Sequence, residues 1–312
     1  MIELLNPKPI DVVRFAADVI KFRSRYAFTR DAAAARELAV DRFCTPTGRR
    51  GSLSQAELEA DLERLYRQPP TEEQRGRIRE VLDTVELSWL PVDGATLCVY
   101  RWSPGKAHRR ALLAHGWEGY GLSLGPFVRD LLSEGYEVIA FDQRAHGASD
   151  GRFSGLPNFV WDLEAVVERF GSFDFVLGHS LGGAAVLQAL ARKTLGTPRS
   201  VLLAPFGDMS HLAAGWSRLN GLGRSFGPQL IEGLSHRYDY DPESVTVRAI
   251  SKRIQSPVHI VHDRADPIVP IRTSLELAAA NNLVTVDATE GLGHAALLAA
   301  PKALEIAARL AA

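Results

Sequence analysis

From about residue 83 onward the chain alternates short apolar or β-branched runs with segments of helical length, which restricts its fold. The first two runs are joined by Pro91–Gly94, a hairpin-type connection. Strands that alternate with helices form right-handed crossovers and a sheet covered on both faces. We therefore predict an α/β fold with a mostly parallel eight-stranded sheet, led by an antiparallel pair. The predicted strands are Val85–Leu90, Thr96–Trp102, Arg110–Ala114, Glu137–Phe141, Phe173–Leu177, Val201–Ala204, Val258–His262 and Leu283–Ala288.

Two regions lie outside this alternation. Residues 1–82 show helical spacing of apolar residues and no strand pattern, which indicates an N-terminal helical extension of a core spanning 83–312. Residues 207–255 also lack a clear strand, and a connection of that length usually has its own structure or a function. We predict a small helical cap there, in which Arg224 or Arg237 could receive an anionic group.

Composition excludes several classes of function. The 312 residues carry a formal net charge of −1, so no overall attraction to nucleic acid is expected. Cys44 and Cys98 lie outside any Cys/His cluster, which predicts free buried thiols and no metal site. No segment approaches the roughly 20 consecutive apolar residues of a membrane span, and the N-terminus lacks a secretory pattern. We expect a cytoplasmic protein that needs no cofactor.

The most specific motif is Gly178-His179-Ser180-Leu181-Gly182, which fits G-x-S-x-G. It follows a buried apolar run and precedes a helical stretch, as a serine nucleophile on a sharp strand-to-helix turn does. Flanking glycines allow close backbone approach, and the helix N-terminus favours developing negative charge. We predict that Ser180 is a catalytic nucleophile; the alternative is a turn serine without chemistry.

A serine hydroxyl needs a base, and the base needs an acid to orient it. His294 follows the last predicted strand, at the sheet edge where Ser180 also lies, and is the predicted base. Asp266 follows the strand that ends at His262, and the order Ser180, Asp266, His294 matches the α/β-hydrolase order of triad residues. Asp263 is the rival acid, with a turn-capping role as its alternative.

Acyl transfer also needs two donors aimed at the developing oxyanion. The backbone N–H of Leu181, next to the nucleophile, and that of Trp117, in the loop after the third strand, are the predicted donors. In that loop His115 is better suited to holding the backbone than to acting as a base. Asp142 also lies past a strand end, but a triad acid there would break the chain order, so we assign it a structural role.

These segments together resemble the α/β-hydrolase superfamily, and within it the branch that contains serine aminopeptidases and monoacylglycerol lipase-like carboxylesterases. The resemblance covers residue 83 to the C-terminus, and it departs from the family where Asp263 replaces a common glycine. It implies a Ser-His-Asp hydrolase but says little about substrate, and it gives no account of residues 1–82. The matching segments are 115–117, 142–149, 178–183, 263–270 and 293–294.

The sequence therefore predicts a carboxylesterase that acts on a small-molecule ester of small to medium acyl chain through an acyl-enzyme. Thioesterase, amidase or peptidase, and acyltransferase activities would use the same residues. A non-catalytic ligand receptor on this fold is the alternative of another class.

The N-terminal helix suggests two further kinds of contact. Its basic residues outnumber the acidic ones beside an apolar face, as in helices that lie on a membrane surface. We favour instead a helix packed on the core or at a homodimer interface. The sequence leaves the oligomeric state open.

Overall fold

The computed structural model describes residues 19–27, 29–46, 55–66, 69–207 and 209–312. Among these residues eight strands form one sheet in the order β1-β2-β4-β3-β5-β6-β7-β8. β1 is antiparallel to β2 and β2 is antiparallel to β4, whereas all remaining neighbours are parallel. The predicted mostly parallel eight-stranded sheet is confirmed. The strands are β1 Glu86–Val92, β2 Ala95–Trp102, β3 Arg109–Ala114, β4 Tyr136–Phe141, β5 Phe175–His179, β6 Arg199–Leu203, β7 Val258–Asp263 and β8 Val284–Thr289.

Helices cover both faces of this sheet. The α-helices with fully described bounds are α1 Ala32–Phe43, α2 Gln55–Glu63, α3 Glu72–Asp83, α4 Val128–Ser133, α5 Leu156–Phe170, α6 Ser180–Arg192, α7 Met209–Leu219, α8 Gly227–Tyr238, α9 Val247–Ser251, α10 Arg272–Ala280 and α11 Pro301–Ala311. Because side chains alternate along a strand, β3 directs Leu112 toward the face covered by α5, α6 and α10. It directs Leu113 toward the face covered by α3, α4 and α11. The parallel strands are therefore buried on both sides.

The connection between β3 and β4 contains two kinds of helix. The chain forms a 3₁₀ helix at Gly121–Phe127 and an α-helix only from Val128. Pro126 lies at the junction, where its ring removes a backbone N–H and restricts a regular α-helix. The two cysteines are free and buried, as predicted.

The N-terminal helices pack against two different parts of the molecule. Phe22, in the helical segment 19–27, and Val40 of α1 share a hydrophobic cluster with Phe226 and with Leu230 of α8. In contrast, α2 and α3 pack beneath the sheet on the face of α4 and α11. The division into an extension, a core and a cap stays a prediction, but the contacts join α1 to the proposed cap. The beginning of the predicted membrane-surface helix lies outside the described residues.

An arginine of α8 strengthens this contact between the N-terminus and the cap. The Arg237 guanidinium donates to both Glu37 and Asp41 of α1. It also lies 5.1 Å from the ring centroid of Phe153, in the loop before α5. Arg237 thus joins α1 and α8 to the core, and it is not free for the anionic group that the sequence suggested. A backbone hydrogen bond of 2.8 Å, from the Ser154 N–H group to the Cys44 carbonyl, also joins the C-terminal end of α1 to the loop before α5.

We expect Arg237→Met to lower the free energy of unfolding by about 1–2 kcal/mol, because it removes charge-assisted hydrogen bonds at a largely buried site. Arg36→Met is the matched control, since Arg36 pairs with Glu232 across the same α1–α8 contact but is more exposed. Its expected cost is below about 1 kcal/mol. Urea unfolding of both variants measures the difference, and equal costs would contradict the role given to Arg237.

None of the helices that the structure describes combines the length and the apolar character that a bilayer crossing requires.

Candidate active site

Ser180 lies at the junction of β5 and α6, as its motif predicted. β5 ends at His179 and α6 begins at Ser180, whose φ of +51° places it in the left-handed region. This conformation is strained for a residue with a side chain, and such strain is concentrated at functional sites. It results from turning directly from a central strand into a helix. Ser180 is the first residue of α6 and is only 9% exposed, so its side chain lies at a helix N-terminus, where negative charge is stabilised.

Glycines make this turn sterically feasible. A Cβ atom on Gly182 would lie 2.3 Å from the carbonyl oxygen of His115 and 2.4 Å from that of Ala114. A Cβ atom on Gly178 would lie 2.8 Å from the Cα atom of Gly183. Since these neighbours are backbone atoms, they cannot rotate away. The glycines of the motif therefore allow α6 to begin directly against the end of β3.

Asp266 and His294 are in direct contact. Asp266 follows β7 and His294 follows β8, and the Nδ1 atom of His294 lies 2.6 Å from Oδ2 of Asp266. The other oxygen, Oδ1, accepts the N–H groups of Ile268 at 2.8 Å and Val269 at 2.9 Å. Burial alone raises the pKa of Asp266, but hydrogen bonds from His262 and His294 outweigh it and hold the pKa below its usual value. Asp266 is therefore an anion that orients His294.

His294 also lies beside the turn that carries Ser180. Its ring centroid is 4.7 Å from that of His179, the residue directly before the serine. Because Nδ1 of His294 donates to Asp266, the Nε2 atom of the neutral ring is the acceptor. An imidazole in this tautomer can accept a proton from a neighbouring hydroxyl.

The rival acid, Asp263, is bonded elsewhere. Its Oδ2 atom accepts the hydroxyl of Thr289 at 2.8 Å and the N–H of Leu292 at 2.9 Å, and its Oδ1 atom accepts the N–H of Ala265 at 3.0 Å. Burial raises the pKa of Asp263, but these and related hydrogen bonds lower it by a larger amount. The pKa of Asp263 is therefore below its usual value. This carboxylate joins the loops after β7 and β8, which is the turn-capping role considered for it.

The loop after β3 approaches Ser180 closely. A Cβ atom on Gly116 would lie 2.9 Å from Cβ of Ser180 and 3.0 Å from Nδ1 of His179, so only glycine fits there. The next residue, Trp117, is half-buried, and its ring packs edge-on against His146 with centroids 4.9 Å apart. The loop thus brings the Trp117 backbone next to the turn at Ser180, whereas Leu181 follows the serine directly. Their assignment as oxyanion donors stays a prediction.

His115 and Asp142 have structural contacts. Nδ1 of His115 donates to the Gly116 carbonyl at 2.7 Å, and Nε2 accepts the N–H of Gln143 at 2.9 Å. Burial lowers the pKa of His115 well below its usual value. Asp142 accepts the hydroxyl of Tyr100 at 2.8 Å, together with the N–H groups of Gly121 at 2.6 Å and Ala148 at 2.8 Å. Both side chains hold loops together, as the sequence interpretation favoured.

Two histidines beside this site were not identified from the sequence. His179 packs against His294, and His262 lies 3.5 Å from Asp266. The available signal was weak: His179 is the variable position of the G-x-S-x-G motif, and His262 ends the predicted seventh strand. Neither pattern shows which side chain the ring contacts.

Known proteins resemble this chain in sequence. A family model described as serine aminopeptidase, S33, matches residues 105–246, a range that includes Ser180 but ends before Asp266. A non-heme haloperoxidase of Rhodococcus erythropolis is 32% identical over 114 residues, which are 36% of this chain and 40% of that protein. A bifunctional esterase/perhydrolase of Acinetobacter calcoaceticus is 33% identical over 103 residues, 32% of this chain and 37% of that protein. The chain thus spans about two fifths of the length of the curated relatives it matches.

Solved structures resemble the fold over a longer range. An esterase of Pyrococcus furiosus superimposes with a TM-score of 0.57 and 19% sequence identity, covering 75% of this chain and 92% of that one. At this identity the likeness shows the fold alone.

Proposed function

We propose that this chain, which belongs to the α/β-hydrolase superfamily, is a serine hydrolase that cleaves carboxylic esters of small to medium acyl chain. The observation that carries the proposal is the 2.6 Å contact between His294 and Asp266, beside the strained turn at Ser180. A base that is oriented by a buried carboxylate and lies next to a serine at the carboxyl edge of the sheet is the arrangement that activates a hydroxyl for acyl transfer.

The proposed reaction proceeds in two halves. Ser180 Oγ attacks the ester carbonyl while Nε2 of His294 takes its proton, and Asp266 stabilises the imidazolium that forms. The backbone N–H groups of Leu181 and Trp117 donate to the oxyanion. His294 then protonates the leaving alcohol, which leaves an acyl group on Ser180. Water, deprotonated by His294, releases the acid and restores the serine. These steps require no metal or organic cofactor.

The surroundings of Ser180 favour an apolar acyl group of limited size. The N–H of Phe206 donates to the carbonyl oxygen of Ser180 at 3.0 Å, which places this half-buried aromatic residue beside the nucleophile. Trp117, also half-buried, approaches from the opposite loop. Two aromatic residues flanking the serine would contact an apolar chain, whereas Ser180 and His294 are each only 9% exposed. Limited access disfavours bulky substrates.

A series of p-nitrophenyl esters tests this proposal. We expect kcat/KM to be highest for butyrate or octanoate and to fall for palmitate, because Ser180 and His294 are each only 9% exposed and limited access disfavours a long chain. Butyryl thioester and an alanyl anilide, measured in parallel, identify thioesterase or peptidase activity. Preference for either over all esters would contradict the proposal. If a fluorophosphonate probe fails to label Ser180 in folded protein, a ligand receptor becomes the better explanation.

Perhydrolysis is a second candidate, favoured by the matches to a haloperoxidase and to an esterase/perhydrolase. The same acyl-enzyme would be attacked by hydrogen peroxide instead of water, which releases a peroxy acid and free Ser180. Peroxy acid formation from an ester and hydrogen peroxide, absent in Ser180→Ala, would support this activity.

A further inference from the structure

A second histidine contacts the carboxylate that holds His294. His262 belongs to β7 and is completely buried. Its Nδ1 atom lies 2.8 Å from Oγ of Ser274, in α10, and its Nε2 atom lies 2.9 Å from the carbonyl oxygen of Val269. The same Nε2 atom is 3.5 Å from Oδ2 of Asp266. The proposed reaction leaves this histidine without a role.

The partners of His262 determine its tautomer. The Val269 carbonyl can only accept a hydrogen bond, so Nε2 of His262 must carry the proton. In the neutral ring Nδ1 is then the acceptor, and the Ser274 hydroxyl donates to it. Both ring nitrogens are thereby satisfied without a second proton, and Ser274 fixes the orientation of the ring.

Val269 connects the contacts of His262 to those of Asp266. The N–H of Val269 donates to Oδ1 of Asp266, while the carbonyl of Val269 accepts from His262. The His262 ring therefore binds the carbonyl group of Val269, the residue whose N–H group positions the carboxylate of Asp266. Its own contact with Oδ2, at 3.5 Å, is longer than the 2.9 Å hydrogen bond to the Val269 carbonyl. The geometry therefore supports an effect of His262 on the orientation of the carboxylate, beside its effect on the pKa of Asp266.

We infer that His262 is a positioning residue, which keeps the turn Asp266–Val269 in the geometry that directs Oδ2 at His294. The inference rests on the proposed function, since it assigns His262 to the same triad. Through Ser274 it also links the acid to α10, an element that carries none of the proposed triad.

Loss of His262 should shift the pH dependence of kcat/KM in a definite direction. The titratable groups that face His294 are Asp266 and His179, while His262 faces Asp266 and, less directly, His179. If His262 is lost, the carboxylate is held less firmly against His294 and stabilises its imidazolium less. The acid limb of kcat/KM, which reports the catalytic base of the free enzyme, should therefore move to lower pH in such a variant. A residue that only filled space would change stability and leave this limb in place.

The variants His262→Leu and His262→Gln test the inference. For the leucine variant we expect kcat/KM to fall about 10²-fold, in keeping with a displaced catalytic group, and the acid limb to move down. Glutamine retains an N–H donor for Val269 and should restore much of both properties. Ser274→Ala leaves the ring and its tautomer in place but removes the hydrogen bond that fixes the orientation of the ring, so it should give a smaller change in the same direction. It also serves as the test if His262→Leu does not fold.

A spectroscopic measurement separates this inference from the proposed function. The proton on Nδ1 of His294 should give a downfield NMR signal, assigned by its loss in Asp266→Asn, whether or not the protein hydrolyses esters. In Ser274→Ala and His262→Leu we expect this signal to move upfield and to titrate at lower pH. Signals and acid limbs identical to the wild type in both variants would overturn the role of His262. If the wild-type protein shows the downfield signal but has no hydrolase activity, the proposed function is contradicted instead.

Discussion

Ser180→Ala is expected to lower kcat by about 10⁶-fold, the loss seen when the nucleophile of a serine hydrolase is removed. Acylation then has no covalent route, and only the oxyanion donors and substrate binding remain to assist direct attack by water. Alanine lacks a single oxygen, and the left-handed backbone at φ +51° is already imposed by the turn between β5 and α6. The variant should therefore fold normally. Ester hydrolysis and covalent labelling by a fluorophosphonate measure the loss.

Ser200→Ala is the matched control for this variant. Ser200 is buried on β6, the strand next to β5, and its hydroxyl has no hydrogen-bond partner among the described residues. Removing this oxygen should leave activity unchanged and cost little stability. Hydrolysis that survives Ser180→Ala at the wild-type rate would refute the mechanism, because another group would then supply the nucleophile.

Asp266→Asn is expected to lower kcat by about 10⁴-fold, comparable to the same change at the acid of a characterised triad. Asparagine can present an N–H group where Oδ2 now accepts the proton of His294 Nδ1. The ring would then adopt the other tautomer, in which Nε2 carries a proton and cannot accept one from Ser180. The buried imidazolium would also lose its compensating charge. Steady-state hydrolysis of the preferred ester measures the effect.

Asp263→Asn is the discriminating comparison, because Asp263 lies only three residues before Asp266, at the end of β7. Its carboxylate accepts from Thr289 and Leu292, and the structure shows it joining the two loops at this edge. We expect a lower free energy of unfolding and a kcat that changes by less than about tenfold. If instead Asp263→Asn abolished turnover and Asp266→Asn did not, the acid would be Asp263.

Much of the proposed site was predictable because it depends on local patterns. An apolar run followed by G-x-S-x-G indicates a strand, a turn and a helix, and the structure has β5, Ser180 and α6 in that order. Asp266 and His294 were found from their positions after predicted strands, since the carboxyl ends of parallel strands meet at one sheet edge. The boundaries were less accurate: β5 was expected to begin at Phe173 and begins at Phe175.

The N-terminal helices show the limit of this reasoning. The helical spacing of apolar residues within 1–82 indicates helices, but it carries no information about the surfaces that these helices contact. The partner of α1 proves to be α8, about 190 residues later in the chain, through Val40, Leu230 and Arg237. Arg237 looked available for an anionic ligand because its partners on α1 are distant in sequence.

The sequence alone thus predicted the α/β class, the succession of strands along the chain and Ser180 as the candidate nucleophile, because these follow from periodicity and from short-range backbone sterics. The tertiary structure decided which aspartate contacts His294, which helices the N-terminus contacts, and that His262 lies beside Asp266. Each of these depends on hydrogen bonds or packing between segments that only the folded sheet brings within a few ångströms. A pattern along the chain places a side chain at a strand end, whereas its partner is set by the geometry between strands.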